Sequence, residues 1–222
     1  MAIKQTSFGG WVIEGDTHIS KWAEERGRID SDGYLLPHII SLIKTGDVVI
    51  DVGANIGDHT IAYLEAVGDE GTVYAFEPQP EAYECLIRNC GDRPTFFCAA
   101  ALDQRKEVSI NLLDNRGASF IVEGSGGISG FPIDDLEIDK VDLIKIDVEG
   151  AELKVLSGAS RTISRCKPKI VIEINRGHLS RFECSPEIIF DWLDKFGYKW
   201  CPIHEDTDVV CSPQFDVLAT PK

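Results

Sequence analysis

Five short apolar runs, each closed by turn-forming or acidic residues, do most to limit what this chain can fold into. They are Val48–Asp51, Thr72–Phe76, Thr95–Cys98, Val141–Ile146 and Ile170–Ile174. Each is too short for a helix and has the length of a strand. Helical patterns lie between them. Ala82, Cys85, Leu86 and Cys90 recur on one face, as do Ile188, Ile189, Trp192, Leu193 and Phe196 behind the helix start Ser185-Pro186-Glu187. Strands alternating with helices predict an α/β fold, a doubly wound and mostly parallel sheet covered on both faces. The ending differs: Tyr198–Ile203 and Gln214–Ala219 flank a polar stretch with no helical pattern, so an antiparallel pair is expected at one edge. Asp114–Gly130, rich in glycine, reads as a loop with short strands.

No repeat or linker divides the chain. Residues 46–222 are expected to form the domain, with residues 1–45, including a helix near Leu35–Ile43, as an arm or lid of that domain. At 222 residues it can bury roughly 70% of its unfolded surface without staples. Its 37 acidic against 22 basic residues give a charge of −15 with no basic cluster, which argues against nucleic acid and anionic membranes as partners. The seven cysteines form no Cys-x-x-Cys pair and read as free thiols, mostly buried. No window approaches the roughly 18 apolar residues of a membrane span, and MAIKQTSFGG lacks signal-peptide features. A cytoplasmic location is expected, with a homodimer as a candidate assembly.

The first run leads directly into Asp51-Val52-Gly53-Ala54-Asn55-Ile56-Gly57-Asp58-His59-Thr60 and then a helical pattern. Glycines at a strand-to-helix turn permit positive φ and close ligand approach, and free N–H groups at the helix start favour polar or anionic atoms. The second run ends at Glu77, 24 residues beyond Gly53, where a carboxylate can accept both hydroxyls of a ribose. A nucleoside-containing cofactor follows. A dinucleotide fingerprint reads G-x-G-x-x-G, whereas this loop reads D-x-G-x-N-x-G. Asp51, two residues before the first glycine, would repel a pyrophosphate but can face the α-amino group of S-adenosylmethionine (SAM), directly or through water. A nicotinamide or flavin cofactor, and a glycine turn serving packing alone, stand as alternatives.

VVIDVGANIGDHT, VYAFEPQPEAYECL, CAAAL, VDLIKIDVEGAELKVLSGA and KPKIVIEIN, in this order, resemble the FkbM family of SAM-dependent methyltransferases over about residues 46–175. The resemblance implies a seven-stranded Rossmann-like sheet with SAM as methyl donor. It also implies a hydroxyl of a sugar or a polyketide-like product as methyl acceptor. Asp51, Gly53, Asn55 and Gly57 would line the methionine end, with His59 and Thr60 as further loop contacts. Glu77 would hold the ribose and Ala99–Ala101, chiefly Ala100 and Ala101, the adenine edge. The connection Asn89–Arg93 is shorter than the family's usual NLxLN-type segment. Residues 1–45 and those after Asn175 lack a dependable counterpart and are expected to build the acceptor pocket.

Methyl transfer to a hydroxyl requires placement within about 3 Å and removal of a proton. Asp147 and Glu149 follow the fourth run, and Glu173 and Asn175 end the fifth. Asp147 is expected at both the cofactor and the chemistry, with Glu149 beside it; the bland reading has Glu149 capping a helix and Glu152 in solvent. Asp147, Glu173 and Asn175 together suit a hard cation such as Mg²⁺. His178 is the first candidate general base and His18 the second, while His38 and His204 read as structural. Trp11, Trp22 and Phe182 are candidates for stacking on a sugar ring. The function expected is an O-methyltransferase of a sugar, glycan or glycosylated metabolite. Alternatives are a methyltransferase of a non-sugar hydroxyl or amine, and a non-catalytic SAM-binding module. No Asn/Asp-Pro-Pro-Tyr/Phe motif follows the fourth run, which argues against methylation of base amines.

Overall fold

The alternation is realised in a computed structural model that describes residues 2–29 and 33–222; Met1 and residues 30–32 of the arm lie outside the described residues. The strands are β1 (Ile3–Gln5), β2 (Trp11–Ile13), β3 (Val48–Val52), β4 (Thr72–Phe76), β5 (Thr95–Phe97), β6 (Ala100–Ala101), β7 (Lys106–Asn111), β8 (Phe120–Glu123), β9 (Ile128–Phe131), β10 (Leu143–Ile146), β11 (Lys169–Asn175), β12 (Tyr198–Pro202) and β13 (Gln214–Pro221). The helices are α1 (Ile19–Arg26), α2 (Leu35–Leu42), α3 (Thr60–Val67), α4 (Pro80–Cys90), α5 (Glu152–Gly158), α6 (Ser160–Cys166), α7 (Arg176–Leu179) and α8 (Pro186–Lys195).

Seven strands form the main sheet in the order β12-β13-β11-β10-β3-β4-β5. The pairs from β11 through β5 are parallel, and β13 runs antiparallel to both β11 and β12. The strands read as unbroken apolar runs because both faces are covered. On one face Ile50, Val52, Ile144, Ile146, Ile170 and Ile172 pack with Val155 and Leu156 of α5, Ile163 of α6 and Leu193 of α8. On the other, Val49, Val73, Leu143 and Val171 meet Ile39 of α2, Tyr63 and Leu64 of α3 and Leu86 of α4. Chain order reverses between β3 and β10, which opens a crevice at the strands' carboxyl ends.

Asp114–Gly130 is more ordered than a loop. It contributes β8 and most of β9 to a four-stranded sheet, β6-β9-β7-β8, whose third member, β7, lacks the apolar run that marks a strand in the sequence. The arm is part of the core: Val12, Ile13 and Ala23 pack on Ile56, Ala82 and Cys85. Asn89 fastens it, accepting from the Trp11 backbone N–H at 2.7 Å and donating to the carbonyls of Trp11 and Ile56. The expectation of mostly buried cysteines is corrected: Cys85, Cys90 and Cys184 are buried, whereas Cys98, Cys201 and Cys211 lie in exposed loop and edge positions. Among the described residues no helix is long and apolar enough to cross a membrane.

Candidate active site

The turn after β3 is shaped by contacts with its neighbours. Gly53 has φ +88°, and a Cβ there would stand 1.8 Å from the Asp147 carbonyl oxygen. Gly57 has φ +94°, and its Cβ would meet Cys90 Sγ at 2.9 Å. Close approach of β10 and α4 therefore demands these glycines, a reason the sequence reading assigned to the ligand. Asn55 takes the left-handed conformation (φ +49°), and its N–H donates to Glu77 Oε2 at 2.8 Å. The Gln79 N–H donates to Glu77 Oε1, also at 2.8 Å. Two backbone donors thus fix the carboxyl at the end of β4. Burial outweighs them and pushes the Glu77 pKa up to about 7.

These residues border a cavity of about 760 Å³ that straddles the strand-order reversal. Of the expected cofactor residues, Gly53, Asn55, His59, Glu77, Ala100, Ala101 and Asp147 line it. Gly57, Thr60 and Asp51 do not. Asp51 lies fully buried behind the wall, where Oδ2 accepts from the Thr60 hydroxyl at 2.6 Å and Oδ1 has no hydrogen-bond partner. Its pKa is raised by burial against the pull of Lys145. The acid that does border the cavity here is Asp58, pushed up to about 7 by burial. His59 is driven down to about 3 by burial and by Lys145, so its ring is neutral beside the Tyr63 hydroxyl, 3.0 Å away.

Lys145 accounts for much of this electrostatic pattern. It is 4% exposed, and its Nζ lies 2.7 Å from Asp147 Oδ2. Burial opposes its charge, but Asp147 and Asp51 overcome that and raise its pKa. The same pairing holds Asp147 below the usual carboxylate range despite burial. The expected cation site of Asp147, Glu173 and Asn175 is therefore not assembled. Asp147 is committed to Lys145, and Asn175 caps α7 by accepting from the N–H groups of Gly177 and His178. Glu173 Oε1 accepts from Gln214 Nε2 at 2.7 Å.

Glu149, Glu173 and His178 converge instead, one ligand-type atom of each lying within 4.8 Å of the others. Glu149 lies where the reading beside Asp147 expected it, and the alternative, in which it caps a helix while Glu152 is solvated, is not what the structure shows. Glu152 is buried and accepts from the Gly150 N–H at 2.9 Å, whereas Glu149 turns into the cavity with φ +60°. Gly150 must be glycine, because a Cβ would stand 2.3 Å from the His178 carbonyl oxygen. This packing sets Glu149 Oε2 against His178 Nδ1. Burial, with the charges of Asp147 and Glu152, pushes Glu149 up to about 8, and burial and Arg181 lower His178.

The cavity roof comes from outside the main sheet. Asp16 joins the arm to the segment before β8: its carboxylate accepts from the N–H groups of His18 (3.2 Å), Ser20 (2.7 Å) and Arg116 (3.0 Å). His18 and Trp22 line the cavity with ring centroids 3.9 Å apart. Trp11 instead lies under the Arg88 guanidinium at 4.1 Å, and Phe182 packs near Ala151, so neither reaches the cavity. His204, expected to be structural, borders the cavity, its ring tilted 42° against that of Tyr34 with centroids 3.7 Å apart. Gln214 and Asp216 also line it, since the antiparallel β13 begins at the edge where the parallel strands end.

A methyltransferase FkbM domain matches residues 51–132 and 127–200 of this chain. The chain belongs to the FkbM methyltransferase family. Among relatives, the hexuronic acid methyltransferase AglP of Haloferax volcanii is 30% identical over 145 residues, covering 59% of this chain and 57% of AglP. The chain thus matches little more than half of that protein. The 2-O-methyltransferase NoeI of Sinorhizobium fredii is 24% identical over 215 residues, 84% of this chain and 88% of NoeI. A TehB-like SAM-dependent methyltransferase from Corynebacterium glutamicum shares the fold with a TM-score of 0.58 at 14% identity, over 94% of this chain and 97% of its own. The FkbM match covers the loop after β3, Glu77 and the Glu149 turn, but not His18, His204, Gln214 or Asp216.

Proposed function

We propose that this protein is a SAM-dependent O-methyltransferase that acts on a hydroxyl of a sugar, a glycan or a glycosylated metabolite. One observation carries the reading: a single cavity has the fixed Glu77 carboxyl on its β4 side and the Glu149–His178 pair on its β10–β11 side. At about 4.8 Å per strand, β4 and β11 stand about 14 Å apart, which leaves separate room for a cofactor and an acceptor. Family membership supports methyl transfer, the name of NoeI supports transfer to oxygen, and the name of AglP supports a sugar-derived acceptor.

The residues fit the cofactor. Glu77 would accept from the ribose, Asn55 and Gly53 would flank the amino-acid end, and Ala100 and Ala101 offer an apolar edge for adenine. Asp51 would act through the loop and not by contact. When bound, SAM supplies an electrophilic methyl group on a sulfonium. The chain must orient the acceptor, exclude water and take a proton.

His178 is the base in this reading, and Glu149 sets its tautomer. While Glu149 is protonated it donates to Nδ1, so the neutral ring carries its hydrogen on Nε2 and has no lone pair there. Once Glu149 ionises, Nδ1–H donates to it and Nε2 can accept the hydroxyl proton. In this reading the proton is taken by His178 with Glu149 against it, and no step is assigned to Mg²⁺. The arm, joined through Asp16 to the segment before β8, acts as a lid over the acceptor, with His18 and Trp22 on its inner surface.

The test is mass spectrometry of a panel of glycosides incubated with methyl-labelled SAM, in buffer containing EDTA. One labelled methyl on a sugar is expected. SAM binding without turnover on any acceptor would favour the non-catalytic alternative, and labelling only of non-sugar hydroxyls or amines would favour the other.

A further inference from the structure

The α-ammonium of SAM needs an acceptor, and Asp51, the acid expected to face it, lies behind the cavity wall. Asn115, which the sequence reading did not single out, supplies one; this assignment rests on SAM being the cofactor. Asn115 stands at the start of the short helical turn Arg116–Ala118 and lines the cavity. An asparagine there ordinarily spends its amide oxygen on the N–H groups of the turn, but its side chain caps nothing. Among the described residues Oδ1 is buried with no hydrogen-bond partner, a costly state until a ligand donates to it. The turn holds its shape without that oxygen. The Asn115 carbonyl accepts from the Ala118 N–H at 3.2 Å, and the Leu113 N–H donates to the Ser119 hydroxyl at 3.2 Å.

Gly117 connects this oxygen to the loop after β3. A Cβ on Gly117 would sit 3.4 Å from Asn115 Oδ1, 3.4 Å from Asn55 Nδ2 and 3.5 Å from Ile19 Cγ1. The glycine thus leaves open a gap with an acceptor on one side and an amide donor on the other. The amino-acid end of SAM is the complement: its ammonium only donates and its carboxylate only accepts. Asp58, on the same loop as Asn55 and also bordering the cavity, is the competing partner for the ammonium.

We propose that Asn115 Oδ1 accepts from the α-ammonium of SAM beside Gly117, with Asn55 Nδ2 facing the carboxylate. The segment before β8 then reads the amino-acid end of the cofactor. A hydrogen bond from an ammonium to a buried amide oxygen contributes about tenfold or more in affinity.

Calorimetry with S-adenosylhomocysteine and with its deamino analogue, in which hydrogen replaces the α-amino group, reads that bond without methyl transfer. Wild type should prefer S-adenosylhomocysteine by about tenfold or more. Asn115→Ala should bind S-adenosylhomocysteine about tenfold more weakly and the deamino analogue unchanged, which erases the preference. Gly117→Ala places a methyl in the gap at ordinary contact distances, so the fold should survive. It should weaken S-adenosylhomocysteine about tenfold and leave methylthioadenosine, which lacks the amino-acid end, bound as in wild type. Three results overturn the assignment and leave SAM as the cofactor: a wild type without the preference, an equal loss of both ligands in Asn115→Ala, or a preference that survives in Asn115→Ala and disappears in Asp58→Asn. A wild type that binds none of the three nucleosides overturns the SAM reading and this assignment together.

Discussion

Replacing Glu149 by Gln should stabilise the protein and inactivate it. In the folded state the carboxyl is pushed up to about 8 by burial and by the charges of Asp147 and Glu152; in the unfolded chain it titrates near 4.5. Between those values the unfolded chain releases a proton that the folded protein retains, so rising pH favours unfolding. Stability linked to this group is therefore complete below about pH 4.5 and is lost as pH rises toward 8. At 1.36 kcal/mol per pH unit, the loss by pH 7 has an upper bound of about 3.4 kcal/mol. Glu149 lies against His178 and is 13% exposed, so about 1–3 kcal/mol is expected. Gln keeps the shape and removes the titration. Urea denaturation at pH 4, 6 and 8 should show the variant equal to wild type at pH 4 and more stable by about 1–3 kcal/mol at pH 8. Meanwhile kcat/KM of the wild type should rise with pH through an apparent value near 8, and the variant should lose that limb along with most of its activity. A stability difference constant across pH, or a fully active variant, would refute the reasoning.

Glu77→Ala should weaken SAM and S-adenosylhomocysteine alike by about 1–3 kcal/mol in calorimetry, through loss of charge-assisted bonds; tight binding of NAD with none of SAM would contradict the cofactor assignment. Asp16→Ala releases three backbone N–H groups that join the two parts of the roof. It should lower kcat/KM for the acceptor about tenfold with little change in SAM affinity, and an equal loss in both would make the arm mere packing. Gly53→Ala places a Cβ 1.8 Å from the Asp147 carbonyl at φ +88°. It should cost about 3 kcal/mol or more and lower Tm by roughly 6–12 °C, and a drop of less than about 2 °C would contradict the packing described.

The parts legible in the sequence are those set by local pattern. Apolar runs covered on both faces are strands wherever they occur, so β3, β4, β5, β10 and β11 were readable to within two residues, and the reversed β13 followed from the missing helix before it. Glu77 was readable because its place at a strand end fixes its direction. Asn175 was misread because a side chain at a strand end can turn back to cap the next helix, a choice made by local backbone geometry and not by residue type. That Glu149 faces the cavity and Glu152 is buried could not be decided against the capping alternative, because the Glu149 turn is dictated by close contact between Gly150 and the backbone of His178, a feature of packing alone. Lys145 did carry an overlooked signal: a lysine inside the apolar run LIKI must be buried, and a buried ammonium requires a carboxylate partner. Gln214 and Asp216 were hidden until β13 was known to start at the carboxyl edge of its parallel neighbours.

The central claim is tested most directly by the fate of the methyl carbon. With ¹³C-methyl SAM and a productive glycoside, two-dimensional NMR of the purified product should connect the labelled methyl through oxygen to one ring carbon. Wild type should form that product in EDTA, and His178→Ala should not, although it still binds SAM. A methyl on nitrogen or carbon would contradict the account, as would an oxygen-linked product formed equally well without His178.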